Sequence, residues 1–277
     1  METMIRFINY ILILTLFTTM FSCKKLDYED NITPFGEVHF DISKIAISDY
    51  LKVKYNGNTI DFHQGIAGRV RVPRGESRFE FYDNRNGKVL LEKTINIDTA
   101  NVEKFTLFQP TVDDPIAILD PNGQDDEEAA PEGFMKIKIA NYLKEFLPQE
   151  KINIVMNLRY QQGRRYIYIP VDTIRNVGRN IGEEEFNIVK RAEIEPPVTA
   201  EIYYLSFYDS NTNEQLMNVV NTPYFSSLGL GNHLPFNAKH VYTIYLSLFE
   251  TGYSANSFLQ KDDIYYSINP ILLYNDL

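Results

Sequence analysis

From residue 35 onward, apolar and polar residues alternate in short runs, broken roughly every eight to twelve positions by turn formers, which is the pattern of half-buried strands. Leu51, Val53 and Tyr55 alternate with Lys52 and Lys54, and Asn56-Gly57 follows, a pair suited to the positive φ angles of a tight hairpin. Thr59-Ile60 then begins the return strand. Val70 and Val72 alternate with Arg69 and Arg71 up to a Pro73-Arg74-Gly75 turn, and Phe79 and Phe81 alternate with Arg78, Glu80 and Tyr82. After a further turn at Asn84 to Gly87, Val89 to Ile97 and Val102 to Phe108 supply two more apolar-rich strands. These elements predict a first β-sandwich module over residues 35–110.

Between 111 and 133 the alternation stops. The run Asp120 to Gly133 is acidic, rich in turn formers and nearly free of apolar side chains, and it reads as an interdomain linker. Asp120, Asn122 and Asp125 superficially suggest a calcium loop, but the glycine and terminal glutamate of an EF-hand are out of place, and no metal is expected. A second module is predicted over 134–277. Its strands are Met135 to Ile139, Ile152 to Met156, Tyr166 to Ile169, Ala200 to Tyr208, Val241 to Phe249 and Ile264 to Tyr274. In the fourth of these, Ile202, Tyr204 and Ser206 face opposite to Tyr203, Leu205 and Phe207. Pro270 in the last requires a sheet edge or a strand break. Helix is expected, if anywhere, at Asn141 to Phe146 and Gly182 to Lys190. The fold class is therefore all-β, two β-sandwich modules in tandem.

The first residues follow another rule. Phe7 to Phe21 is almost wholly apolar, preceded by Arg6 and followed by Ser22; at 15 residues it is shorter than the roughly 20 a membrane-crossing helix needs. It reads as a signal peptide, 1–22, with Met4 as a second possible start. Met20-Phe21-Ser22-Cys23 resembles the lipobox of bacterial lipoproteins, which implies cleavage before Cys23 and lipid on its sulfur. Each buried CH₂ of an acyl chain contributes about 0.8 kcal/mol, so several chains on one cysteine anchor a protein where a single one is marginal. The expected partner is accordingly a membrane. Residues 23–34, with Lys24-Lys25 followed by an acidic Leu26 to Asn31, resemble the tether of lipoproteins sent to the outer membrane and sometimes flipped to face the cell exterior.

Composition narrows the options. The net charge is −10, and removal of the first 22 residues takes away one acid and one base, Glu2 and Arg6, leaving it unchanged. Nucleic acid is an unsuitable partner for such a chain. Cys23 is the only cysteine, so no intrachain disulfide exists and stability comes from packing. The chain has 19 Tyr and 18 Phe but no Trp. Met135-Lys-Ile-Lys-Ile-Ala-Asn-Tyr142, followed by Lys151-Ile-Asn-Ile-Val-Met156, resembles the tandem immunoglobulin-like envelope lipoproteins of Gram-negative bacteria that carry a domain of unknown function. That resemblance implies that the two β-sandwich modules are immunoglobulin-like and that the protein has a surface or adhesion role without a defined ligand, and it carries over no functional residue.

Catalytic signatures are not found. There is no Gly-x-Ser-x-Gly elbow, and His39, His63, His233 and His240 form no His-Glu-x-x-His motif. Gly229-Leu-Gly231 lacks the third glycine of a dinucleotide loop and reads as loop punctuation. No cofactor is expected. The most suggestive cluster is Arg159, Tyr160, Arg164, Arg165, Tyr166 and Tyr168, with Arg175 and Arg179 beyond, on an otherwise acidic chain. Arg offers planar donors and Tyr a stacking face, a combination that holds a sugar ring, a carboxylate or a sulfate. The alternative is a solvated hairpin tip at Gln162-Gly163, its arginines paired with Glu183 to Glu185 and its tyrosines packed on the sheet. The sequence reading is a non-catalytic, lipid-anchored surface binding or adhesion subunit. Its rivals are an accessory glycan-binding lipoprotein of a polysaccharide-uptake system and a structural subunit of a surface polymer.

Overall fold

The computed structural model describes residues 34–60, 68–98, 102–119, 123–162, 164–192, 201–217, 223–230, 238–251, 259–261 and 264–274. The expected signal peptide, nearly all of the tether, Cys23, His63 and His233 lie outside them. The described residues are all-β and form four sheets.

The first two sheets come from residues 35–119. One orders β4 (Gly68–Pro73), β1 (Phe35–Ile45), β7 (Val102–Gln109) and β8 (Ala117–Leu119); the other orders β3 (Asn58–Ile60), β2 (Leu51–Tyr55), β5 (Gly75–Asp83) and β6 (Val89–Ile97). Asn56 and Gly57 join β2 to β3 at φ 46° and 82°, the left-handed geometry that this residue pair tolerates. Alternation does the rest. Val38, Phe40 and Ile42 of β1 are buried against Val53, Phe79 and Phe81 of the facing sheet. The Phe40 ring sits edge-on to Phe79 and Phe81 at 5.1 and 5.0 Å, the arrangement aromatic quadrupoles favour.

The other two sheets come from residues 134–272. One orders β11 (Arg165–Val177), β10 (Ile152–Gln162), β13 (Glu201–Asp209) and β14 (Phe225–Leu230). The second orders β12 (Asn187–Lys190), β9 (Phe134–Asn141), β15 (Val241–Thr251), β17 (Ile264–Leu272) and β16 (Leu259–Lys261). Their inner faces enclose a separate core in which Tyr203, Phe207, Met135 and Tyr242 are fully buried. In both halves the opening strand pairs in parallel with a late one, β1 with β7 and β9 with β15. Pro270 fits because the described part of β16 covers only Ile264 to Tyr266, so among the described residues no outer ladder strand meets β17 at the proline.

Two expectations change. Asn141 to Phe146 is not helical: Asn141 ends β9, its side-chain oxygen accepts from Leu143 N, and its amide donates to Leu147 O, closing a turn. Gly182 to Lys190 is not helical either. Its last four residues form β12 on the edge of β9, with Val189 1% and Ile188 55% exposed, a period of two. The stretch 111–133, expected as an acidic linker, makes contacts of its own among the described residues. Ala117–Leu119 pairs with β7, buried Gln124 accepts from Thr243 Oγ1, Ala130 N donates to Lys239 O, and Glu127 meets Lys136 at 2.6 Å.

A third, small cluster joins the halves. Phe108 of β7 packs edge-on to Tyr142 and Tyr245 at 5.8 and 5.0 Å, with Ala140 and Leu273 completing the patch. Burial pushes the Tyr245 phenol up to about 12 and raises that of Tyr142 as well, although the bond Tyr142 Oη accepts from Ile181 N opposes the shift.

Candidate functional site

The Arg and Tyr cluster folds as a hairpin. Pairing of β10 with β11 continues to Gln162 and Arg165. Among the described residues β13 pairs with β10 only as far as Leu158, so the pairing of Arg159 to Gln162 with Arg165 to Tyr168 runs on as a two-stranded ribbon. Residues directly opposite one another in an antiparallel ladder share a face. Leu158 lies opposite Tyr203 and Ile169, on the core side; Arg159 lies opposite Tyr168, on the outer side.

The outer face is where the site forms. The Arg159 guanidinium carbon lies 4.5 Å from the Tyr166 ring centre and 5.0 Å from that of Tyr204, so the cation is held between two rings. Such contacts contribute about 0.5–1 kcal/mol each at exposed positions. Tyr168 meets Tyr204 edge-on at 5.2 Å. Tyr166 and Tyr168 nevertheless remain 53% and 52% exposed.

Backbone chemistry holds Tyr204 in place. The β10 ladder is irregular between Met156 and Asn157, and Asn157 uses its side-chain amide there to donate to Val155 O, Tyr204 O and Ser206 Oγ. Next to Tyr204 on the same outer face lie Ile202, Ser206 and, across the ladder on β14, Ser227.

The cluster named from sequence divides. Arg159, Tyr166 and Tyr168 come together, and Tyr204, 36 positions or more away in sequence, completes them. Arg164 and Arg165 are exposed at the hairpin tip, and among the described residues neither pairs with a carboxylate. The side chain of Tyr160 lies outside the described residues. Arg175 is exposed on β11, whereas Arg179 is an anchor of the fold, donating from Nη2 to Leu147 O and Gln149 O. The expected pairing of the arginines with Glu183 to Glu185 is replaced by local contacts: Glu183 accepts from Asn180 and Glu184 from Gly178 N. Burial raises the Glu184 carboxyl, with the Gly178 bond opposing it.

Among the described residues no group of His, Cys, Asp or Glu could hold a metal ion, and no helix is long and apolar enough to cross a membrane. No protein-family model matches the chain, and no curated protein matches it. Among solved structures, the family 26 carbohydrate-binding module of Eubacterium rectale Amy13K in complex with maltoheptaose aligns over 83% of this chain and 99% of that one. The identity is 9% and the TM-score 0.22. The α-glucan-recognising family 41 modules of streptococcal virulence factors align over 76% and 92%, at 8% identity and a TM-score of 0.19. TM-scores this low establish no common fold, and function is read from this chain's own side chains.

Proposed function

We propose that the chain is a non-catalytic, lipid-anchored protein of the outer membrane, built of tandem immunoglobulin-like sandwiches, that binds a glycan on the outer face of β10, β11 and β13. The observation that carries this reading is the Arg159 guanidinium held between Tyr166 and Tyr204, with Tyr168 beside them and both β11 rings half exposed. Half-exposed rings offer flat apolar surface to the C–H face of a pyranose. An arginine already held in position donates to ring hydroxyls or an acidic substituent without losing its own rotamer freedom on binding. Arg164 and Arg165 at the tip add attraction for anionic sugars.

The test is a glycan array probed with the chain from residue 24 onward and with Arg159→Ala. Binding by the first and its loss in the second is the expected result; equal signals, or none from either, refute the reading. The anchor is tested separately by metabolic labelling with a fatty acid. Label on the wild type and none on Cys23→Ala is expected, while an unlabelled wild type contradicts it.

A second reading has one observation of its own. Tyr166, Ile167, Tyr168 and Ile169 are all exposed, and β11 is an edge of its sheet, the feature through which strand addition builds polymers. A concentration-dependent ladder in light scattering of the purified chain favours that reading; a monomer at all concentrations rules it out.

A further inference from the structure

The outer face does not end at Tyr204. Its partner across the ladder is Ser227 of β14, and Ser227 also lines a cleft of about 310 Å³ together with Phe249, Ser267, Ile268 and Asn269. That volume lies at the lower end of the range for small-molecule sites, about 300–1,000 Å³.

Three features make the cleft a continuation of the platform. First, β14 and β17 are stitched where they meet, since Ser226 Oγ donates to Ile268 O at 2.6 Å, so Ser227 stands beside the β17 residues across that seam. Second, Phe249 of β15 lies directly opposite Ser267, and Ser247 opposite Asn269, so the ring, a hydroxyl and an amide share one face. Third, Phe249 is 59% exposed, the most exposed aromatic ring among the described residues, on a strand whose inner face is core. Strands are spaced about 4.8 Å apart, so the path from Tyr168 on β11 across β10 and β13 to Ser227 on β14 covers roughly 14 Å before the cleft begins. A single sugar ring does not span it.

We infer that the binding surface is a track crossing the strands, from Tyr166 and Tyr168 through Arg159 and Tyr204 to a second aromatic subsite at Phe249, and that it takes an extended oligosaccharide. This rests on the glycan reading and specifies its ligand class. At the far subsite Phe249 supplies the stacking face, while Ser227, Ser267 and Asn269 supply hydroxyl and amide partners for sugar hydroxyls.

The test is calorimetric titration with malto-, cello- and xylo-oligosaccharides of two to seven units, using wild type, Phe249→Ala, Phe249→Tyr and Tyr166→Ala. In the series that binds, affinity rises with length. Phe249→Ala weakens the longest member by roughly three- to tenfold and leaves the shortest unchanged, Phe249→Tyr restores the loss, and Tyr166→Ala weakens all lengths. Length-independent affinity, or no effect of Phe249→Ala on the longest chains while Tyr166→Ala still weakens binding, overturns the second subsite and leaves the platform standing. Binding that is absent from all three series, or indifferent to Tyr166→Ala, overturns both.

Discussion

Replacing Phe108 with alanine probes the joint between the two halves, because this ring belongs to neither main core. It is 4% exposed, and its ring packs edge-on against Tyr142 and Tyr245. Truncating a buried Phe costs about 3–5 kcal/mol when the site cannot collapse. Collapse is restricted here, since Tyr142 is fixed by the bond it accepts from Ile181 N and Tyr245 by the β9 and β17 ladders on either side. For a chain of this size each kcal/mol moves the melting temperature by roughly 2–4 °C, so a cooperative unit containing the joint loses on the order of 6–20 °C. Differential scanning calorimetry of wild type and Phe108→Ala reads this directly. The expected trace shows the single transition of the wild type lowered, or resolved into two as the halves uncouple. A variant melting within about 1 °C of wild type, with an unchanged profile, refutes the claim that this cluster couples the halves.

Four further outcomes follow from particular contacts. The Tyr245 phenol is pushed up to about 12, above the ordinary 10, so the folded state holds its proton more tightly than the unfolded chain; its contribution is complete below pH 10 and is lost between pH 10 and 12. Tyr245→Phe removes that part of the alkaline loss, and urea melts from pH 9 to 12 that lose stability in parallel for both proteins refute it. Asn157→Ala deletes the bonds to Val155 O and Tyr204 O, costs about 1–3 kcal/mol in denaturant titration and weakens glycan binding, whereas unchanged stability and binding contradict its role in placing Tyr204. Arg164→Ala with Arg165→Ala weakens capture of anionic glycans in a manner that vanishes at high salt, and moves the melting temperature little; a marked drop in melting temperature returns these two residues to a structural role. Limited proteolysis cuts elsewhere before it cuts between 123 and 133, because Gln124, Glu127 and Ala130 are fastened to Thr243, Lys136 and Lys239; first cleavage inside that stretch contradicts the docking.

Much of the fold was legible because period-two alternation translates directly into faces. Tyr203, Leu205 and Phe207 were assigned the side opposite Ile202, Tyr204 and Ser206, and the first three are indeed buried. The misreadings have a common cause, which is that local propensity is weak beside pairing. Glu183 to Lys190 carries helix-forming glutamates, but Val189 is captured by the edge of β9. Strand β14 went unseen because Ser226, Ser227 and Gly229 look like loop residues, although Gly229 simply lies opposite Ile202 in the ladder. The site was half legible for the same reason. Arg159, Tyr166 and Tyr168 sit on adjacent strands of one hairpin and could be grouped by proximity in sequence. Tyr204 arrives by sheet order, and Ser227 and Phe249 arrive through β14 and the seam with β17, relations that no local pattern encodes.

The glycan reading is tested most directly by titrating the double variant Tyr166→Ala, Tyr168→Ala against the oligosaccharide that binds wild type best. Each ring is worth about 0.5–1.5 kcal/mol as a stacking partner, so binding is expected to fall roughly 5- to 150-fold. Both rings are about half exposed, and with them go only the Tyr166 contact to Arg159 and the Tyr168 contact to Tyr204, so the melting temperature should fall by no more than about 10 °C and the protein stays folded at the temperature of the titration. Affinity equal to wild type, with the fold intact, contradicts the assignment of this face as the binding surface.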